Sequence, residues 1–409
     1  MNTKNNNSAT LIGKTKSNKE IYCYDNAKHI FVCGTTGSGK TVLLSNFIKQ
    51  AISNDYGALI IDGKGDTGAG SILEITTELA KKHNKKLYVI NMNDPYNSDK
   101  YNPFRNSSVT IAKDMLINMT NWSEEHYKLN TERYLQRLLK LMNVIPIPLS
   151  FNNIVKYFSG NGLNILSKEL SKAGIITKEE HQQNLYLTAD CGEIAGKAAA
   201  RFLTIAESEI GEIFSTGGID IYTAMEQGAV ILFVLNPLIY PEVSPAFGRL
   251  ILIDSKKAVS KMFNQGDKRK FFIFDEINSY ASTALIDLVN KSRSANVTCL
   301  CATQSLADLE MAEGEAFKHQ IIENCNNYVI LRQNSFKSAE ECAKLIGTAE
   351  KMQMTYQMSQ TESTGMGTAK KVREFIHHPD EIKNLQTGEG IFLSRDYKMC
   401  QKIKINKPF

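Results

Sequence analysis

A chain of 409 residues with 42% hydrophobic and 22% charged residues has an ordinary globular composition, and it is long enough for two domains or for one large domain carrying an insertion. The 48 Lys and Arg against 43 Asp and Glu leave a formal charge of +5, too small to identify a nucleic-acid partner. The first 20 residues have no apolar core, so no signal peptide is expected, and the longest apolar run, AVILFVL at Ala229–Leu235, is far shorter than the ~20 residues of a spanning helix, so the chain is not expected to cross a membrane by itself.

From the N-terminus, the first strand-length run is HIFVC (29–33), followed by an amphipathic helical pattern, TVLLSNFIKQAI. GALIID (57–62), the helical SILEITTELAKK and the strand-like KLYVIN (86–91) repeat the alternation. Strand runs then give way to helical patterns: VTIAKDMLINMT, NTERYLQRLLKLMN, FNNIVKYF, LNILSKELSKA and IAGKAAARFLTIAESEIGEIF, broken at PIP and SGNG. Alternation resumes with AVILFVLN, the helical AFGRLILIDSKKAVSKMF, KFFIFDEI, VTCLCATQS, NYVILRQ, the helical SAEECAKLIG, and EGIFLSRD. Continuous β-branched and aromatic runs suit strands covered on both faces, so the expectation is a doubly wound α/β core with a mostly parallel sheet flanked by helices. The core would comprise residues 1–105 and 218–409, with an all-α insertion at 106–217.

Two basic clusters, Lys81–Lys86 and the Lys256–Lys270 stretch, read as solvated faces. MSQTESTGMGTAKK (Met358–Lys371), rich in Ser, Thr and Gly, reads as a loop. Eight cysteines without a C-x-x-C pair read as reduced thiols in a cytosolic protein, with Cys299 and Cys301 on one strand face.

The chemistry is concentrated at strand ends. GTTGSGKT, comprising Gly34, Thr35, Thr36, Gly37, Ser38, Gly39, Lys40 and Thr41, fits G-x-x-x-x-G-K-[ST] between a strand and a helix. Such a loop turns backbone N–H groups toward phosphate oxygens, aided by the positive end of the helix that follows. With Val42, these are the candidate nucleotide-binding residues. Lys40 would neutralise the β/γ-phosphates of ATP, and Thr41 would help hold Mg²⁺. In FFIFDEI an apolar run delivers Asp275 and Glu276 to a strand tip, Asp275 as a metal-shell ligand and Glu276 to polarise the attacking water. Gln304, ending VTCLCATQS, would sense the γ-phosphate or position that water, unless it is a plain polar strand terminus. Arg293 is the candidate for a cation supplied from a neighbouring subunit; Arg332 is its rival, and both also read as surface arginines. Asp62 and Lys64 in LIIDGKGD either approach the nucleotide or a neighbour, or belong to a simple turn built on Gly63 and Gly65.

Together these residues resemble the type IV coupling proteins, the TraG/TraD-type ATPases of conjugative DNA transfer. The likeness rests on LIGKTKSNKEIYCYDNAKHIFVCGTTGSGKT, IDGKGD, YNPF (Tyr101–Phe104), DEINSYASTALIDLVNKSRSANVTCLCATQSLADLE, NCNNYVILRQ and REFIHHPDEIKNLQTGEGIFLSRD, in family order. The resemblance implies a RecA-like core assembling as a homo-hexamer with ATP and Mg²⁺ at subunit interfaces. It further implies a motor linking relaxase-bound DNA, single-stranded by expectation, to type IV secretion channel components at the inner face of the membrane. The helical insertion would take part in substrate recognition, although its near-neutral charge gives no sign of strong DNA binding. Family members usually begin with transmembrane helices, whereas this sequence reaches the phosphate loop almost at once. The expectation is a truncated form, or a member whose membrane anchor is a separate partner. The long extra tail that some members use to recruit relaxase is also missing from the pattern. A related FtsK- or HerA-like translocase, a secretion-assembly ATPase, and a nucleotide-dependent adaptor that does not pump stand as alternatives.

Overall fold

The structure, a computed structural model, describes residues 9–24, 27–145, 147–263, 269–358 and 363–408. Its strands are β1 (Ala9–Lys14), β2 (Glu20–Tyr24), β3 (His29–Cys33), β4 (Gly57–Asp62), β5 (Leu87–Asn91), β6 (Val230–Val234) and β7 (Lys270–Asp275). They continue with β8 (Val297–Thr303), β9 (Cys325–Leu331), β10 (Thr348–Met358), β11 (Ser363–Phe375), β12 (Glu389–Ser394) and β13 (Met399–Ile405). The helices are α1 (Lys40–Ser53), α2 (Ile72–Lys82), α3 (Val109–Met119), α4 (Glu125–Met142), α5 (Phe151–Tyr157), α6 (Gly162–Lys172) and α7 (Lys178–Ala206). Then come α8 (Ile221–Glu226), α9 (Val243–Met262), α10 (Thr283–Ser292), α11 (Leu306–Glu313), α12 (Glu315–Glu323), α13 (Phe336–Ile346) and α14 (Pro379–Lys383). By contact, the chain divides into two compact units, residues 1–46 with 302–409, and residues 47–301.

In the first unit the strand order is β2-β1-β13-β12-β9-β3. β3 and β9 run parallel, with Val32 opposite Val329, and β12, β13, β1 and β2 extend them antiparallel. All five residues of β3 are buried, as a strand covered on both faces requires, whereas β2 alternates between buried and exposed. A separate two-stranded ribbon pairs β10 with β11, Thr348 opposite Phe375. The loop expected at Met358–Lys371 is therefore corrected: Met358 ends β10 and residues 363–371 belong to β11, while residues 359–362 lie outside the described residues. Cross-strand main-chain pairing holds this polar segment without an apolar stripe to mark it.

The second unit stacks β8-β7-β4-β6-β5, every neighbouring pair parallel. Each residue of β4, β6 and β7 is buried, which accounts for their unbroken apolar sequences. Parallel pairing aligns all the strand ends of one sense, so the C-terminal tips share one edge.

Helices fill the chain from α3 to α8, and YNPF ties the root of this run. Tyr101 N–H donates to the Ile213 carbonyl (2.9 Å) and Asn102 N–H to that of Ile219 (2.8 Å), joining the segment that enters the helices to the segment that leaves them. The buried Tyr101 hydroxyl donates to Asp254 Oδ2 (2.8 Å), and Lys257 pairs with Asp254 Oδ1 (2.7 Å) while donating to the Pro103 carbonyl (2.7 Å). Removal from water lifts the Asp254 pKa; Lys257 and then Tyr101 oppose the lift. α9 thus anchors the root through a buried, hydrogen-bonded ion pair.

The solvated face expected over Lys256–Lys270 is also corrected. Lys257 is 5% and Lys270 6% exposed, and Lys270 pairs with Glu226 at 3.2 Å. Arg269 stacks over Tyr56 and Phe271, and Lys268 lies outside the described residues. Cys299 and Cys301 are both buried on β8. No described helix is long and apolar enough to cross a membrane.

Candidate active site

β3 ends at Cys33, and the glycine loop carries the chain into α1, which opens at Lys40. Gly37 (φ 74°) and Gly39 (φ 107°) occupy the left-handed region that disfavours any side chain. At Gly34 the restriction is space: a Cβ would come 2.5 Å from Leu331 Cβ and 2.7 Å from Ser38 Oγ. Lys40, 8% exposed, bends back so that Nζ donates to the Gly34 carbonyl at 2.9 Å, placing its ammonium inside the curl. Ser38 Oγ is buried and accepts or donates no hydrogen bond among the described residues. Thr41 and Val42 are half-buried in the first turn of α1. A concave loop with an inward ammonium, at the positive end of a helix of 14 residues, fits a polyphosphate.

Neighbouring strand ends hold the loop. Gly34 N–H donates to the Thr303 carbonyl (3.2 Å) and Thr35 N–H to that of Arg332 (3.0 Å). Gln304 lies against the loop, its Oε1 3.4 Å from Thr36 Oγ1. Buried Gln333 fixes Gln304 from behind, donating Nε2 to the Gln304 carbonyl (3.1 Å) and to Cys33 Sγ (3.4 Å). From the other side Thr387 Oγ1 donates to the Gly37 carbonyl (3.0 Å), and Gly388 N–H to that of Ser38 (3.0 Å). Arg332, next to Thr35, is thus close to the phosphate loop of its own chain.

In the second unit Asp275 ends β7 and Glu276 follows in the left-handed conformation (φ 48°, ψ 52°). For a residue with a Cβ that conformation costs about 1 kcal/mol or more, and such strain concentrates at functional sites. Both carboxylates are buried, Asp275 4% and Glu276 7% exposed. Tyr280 OH donates to the Asp275 carbonyl (2.9 Å), and Ser279 N–H to that of Glu276 (2.9 Å), fixing the turn.

Asp62, ending β4, stands opposite Asp275 in register. Its Oδ1 accepts from Lys64 N–H (3.0 Å) and Gly65 N–H (3.1 Å), so the simple turn exists. That turn also packs on the acidic one: a Cβ at Gly63 would lie 2.7 Å from the Asp275 carbonyl oxygen. Burial pushes the Asp62 carboxyl up to about 6, against the opposing pull of the two backbone donors. The Lys64 ammonium is held above its usual range, first by Asp66 at 2.9 Å and also by Asp62 and Asp275.

Arg293 is exposed and precedes β8, whose first residue Val297 pairs with Lys270 at the start of β7. It lies at the opposite end of β7 from Asp275, about 20 Å away for a strand of six residues. The structure therefore groups Lys40 with Gln304 and Arg332 in one unit, and Asp275 with Glu276, Asp62 and Lys64 in the other, and leaves Arg293 apart from the acidic turn of its own chain. Gln333, Tyr280 and Thr387 carry no sequence signal of a role here, since nothing in the composition of NYVILRQ, DEINSY or TGEG points to the phosphate loop or the acidic turn.

The fold and the glycine loop define a RecA-like P-loop nucleotide-binding protein. Residues 269–387 match the family described as the TraM recognition site of TraD and TraG, and residues 12–189 match the central domain of the helicase HerA. The chain is 17% identical to the bacterial conjugative coupling protein TrwBdeltaN70, covering 98% of this chain and 89% of that one at a TM-score of 0.71. It is 12% identical to VirB4 of Thermoanaerobacter pseudethanolicus, covering 98% and 97% at 0.63. An uncharacterized protein of Mycoplasma pneumoniae is 32% identical over 100 residues, which are 24% of this chain and 67% of that protein. Residues 269–387 thus resemble TraD and TraG, and the chain as a whole shares the fold of a solved conjugative coupling protein.

Proposed function

We propose that this chain is an ATP-hydrolysing ring motor that couples relaxase-bound DNA to a type IV secretion channel during conjugative transfer. The observation that carries the reading is the inward Lys40 ammonium in a glycine loop, in a chain that resembles TraD and TraG over residues 269–387 and also places a buried, strained Asp275–Glu276 pair at a strand tip. TrwB has been solved with ADP and Mg²⁺ and with a non-hydrolysable ATP analogue, which supports ATP and Mg²⁺ as the ligands here.

In this reading residues 1–105 and 218–409 act as the nucleotide-binding domain and 106–217 as a substrate-recognition insertion. Backbone N–H groups from Gly34 to Thr41, with Val42, cradle the phosphates, and Lys40 releases the Gly34 carbonyl to neutralise the β/γ oxygens. Thr41 and Asp275 are the residues that would hold Mg²⁺, and the ion would draw charge from the phosphate oxygens. Glu276 takes a proton from the attacking water, and Gln304, braced by Gln333, orients it.

Arg293, too far from its own acidic turn, supplies its charge to a neighbouring subunit of a homo-hexamer, while Arg332 serves the loop of its own chain. The ring would pass single-stranded DNA and be held at the inner face of the membrane through a partner. The HerA match over residues 12–189 favours a second reading, a DNA translocase outside conjugation. ATP turnover measured with and without single-stranded DNA, beside native mass, tests the motor. DNA-independent turnover by a monomer would leave only the nucleotide-dependent adaptor.

A further inference from the structure

A cavity of about 590 Å³ opens between α3, α7 and the start of α9. Arg201 of α7 and Arg249 of α9 both line it. They converge on one neutral residue: Arg201 Nη1 donates to the Asn121 carbonyl (3.0 Å) and Arg249 Nη1 to Asn121 Oδ1 (2.6 Å). Neither guanidinium forms an ion pair among the described residues. Arg249 Nε is buried and meets no acceptor there, and the buried hydroxyl of Thr120 on the same wall is likewise unmatched. Two cations sharing one amide repel each other, and their remaining N–H donors need acceptors. The one carboxylate in the lining belongs to exposed Glu242, the residue before α9.

The geometry points to this cavity as a subsite for one phosphodiester unit of a nucleic-acid strand, held by Arg201 and Arg249. A guanidinium fork matches two non-bridging phosphate oxygens, and the first turn of α9, a helix of 20 residues, adds its positive end to the same lining. Met119 and Ile205 offer an apolar wall for the face of a sugar or base. An acidic peptide would bring a carboxylate on a short stem, with nothing to cover that wall. The inference deepens the DNA-motor reading and rests on it: strand contact is assigned here to Arg201 of the helical run and Arg249 of α9.

The chain carries its own reporter. Its single tryptophan, Trp122, lies under Arg201 (5.9 Å to the ring centroid) and donates Nε1–H to the Ile117 carbonyl (2.7 Å). The test titrates the full chain with an oligothymidylate, following both Trp122 emission and the anisotropy of a labelled strand across a salt series. Polyglutamate is the parallel probe, and thermal melts confirm that variants are folded. The expected result is a shift in Trp122 emission on binding the oligothymidylate. In the Arg201→Ala/Arg249→Ala double variant, affinity falls about tenfold at low salt, and the salt slope falls by roughly 0.7 for each arginine removed. The Arg201→Lys/Arg249→Lys variant, which keeps charge and bulk but loses the fork, should bind with intermediate affinity.

Unchanged affinity in the double variant, with a silent Trp122, would overturn the subsite and leave the motor reading intact. A Trp122 response to polyglutamate but not to the oligothymidylate would overturn it in favour of a protein ligand. Failure of the unmodified chain to bind the oligothymidylate in any readout would sink the DNA reading itself, and the subsite with it.

Discussion

Asp62 and Asp275 stand opposite each other at the tips of adjacent parallel strands, β4 and β7. Burial holds the Asp62 carboxyl at about 6, above its ordinary 3.8. A carboxyl raised in the folded state binds more protons there than in the unfolded chain, so stability is greatest below the unfolded pKa and is lost as pH climbs through the folded one. Without nucleotide or Mg²⁺, this group should cost the fold on the order of 3 kcal/mol between about pH 4 and pH 6, at ~1.4 kcal/mol per pKa unit. Asp62→Asn, which keeps an acceptor for the Lys64 and Gly65 N–H groups, should flatten that slope and raise the denaturation midpoint at pH 7. Denaturant midpoints across pH decide it, and superimposable profiles would show that Asp62 is not the titrating group.

The buried Lys257–Asp254 pair makes a separate prediction about the root of the helical run. Lys257→Met leaves the Asp254 carboxylate without its cation and takes a donor from the Pro103 carbonyl. Loss of one partner from a buried pair costs roughly 3–5 kcal/mol, visible as a lower urea midpoint. A loss below about 1 kcal/mol would place this network with surface ion pairs in energetic terms.

Thr387 should matter to nucleotide more than to stability. Among the described residues its exposed side chain makes one bond, to the Gly37 carbonyl, that shapes the phosphate loop. Thr387→Val removes the donor at nearly constant volume and should weaken ATP binding a few-fold, about 0.5–1.5 kcal/mol, with little change in the melting temperature. Thr387→Ser should restore it in calorimetric titration; equal weakening by Ser and Val would deny the hydroxyl any part.

Strands buried on both faces were legible because burial demands unbroken apolar sequence, and β3, β4, β6 and β7 each carry it. Their ends were legible too, since a glycine or an acidic pair breaks the run at Gly34 and Asp275. β1, β2 and β13 escaped notice: β2 and β13 bury only some of their residues, and polar side chains interrupt their apolar pattern. The β10–β11 ribbon is fixed by main-chain pairing, to which composition is nearly blind. The contacts of Thr387 with Gly37 and of Gln333 with Cys33 join residues 350 and 300 positions apart, a separation that no local pattern encodes. Arg293 and Arg332 read alike in sequence, and only their opposite placement along the strands separates them.

That placement yields a prediction for assemblies. With Arg293 about 20 Å from the Asp275 end of its own β7, Arg293→Ala subunits mixed with unmodified ones should poison a ring, lowering turnover more than in proportion to their fraction. A strictly proportional decline would assign its effect to its own subunit.

The central claim is that Lys40 is needed to bind ATP, Glu276 to hydrolyse it, and that this hydrolysis drives DNA. ATP hydrolysis with and without single-stranded DNA, beside equilibrium ATP binding, measures it in the unmodified chain, Lys40→Ala and Glu276→Gln. The account predicts DNA-stimulated turnover in the unmodified chain, ATP binding without turnover in Glu276→Gln (a fall of 10²-fold or more), and loss of ATP binding in Lys40→Ala. Near-normal turnover in Glu276→Gln would contradict it.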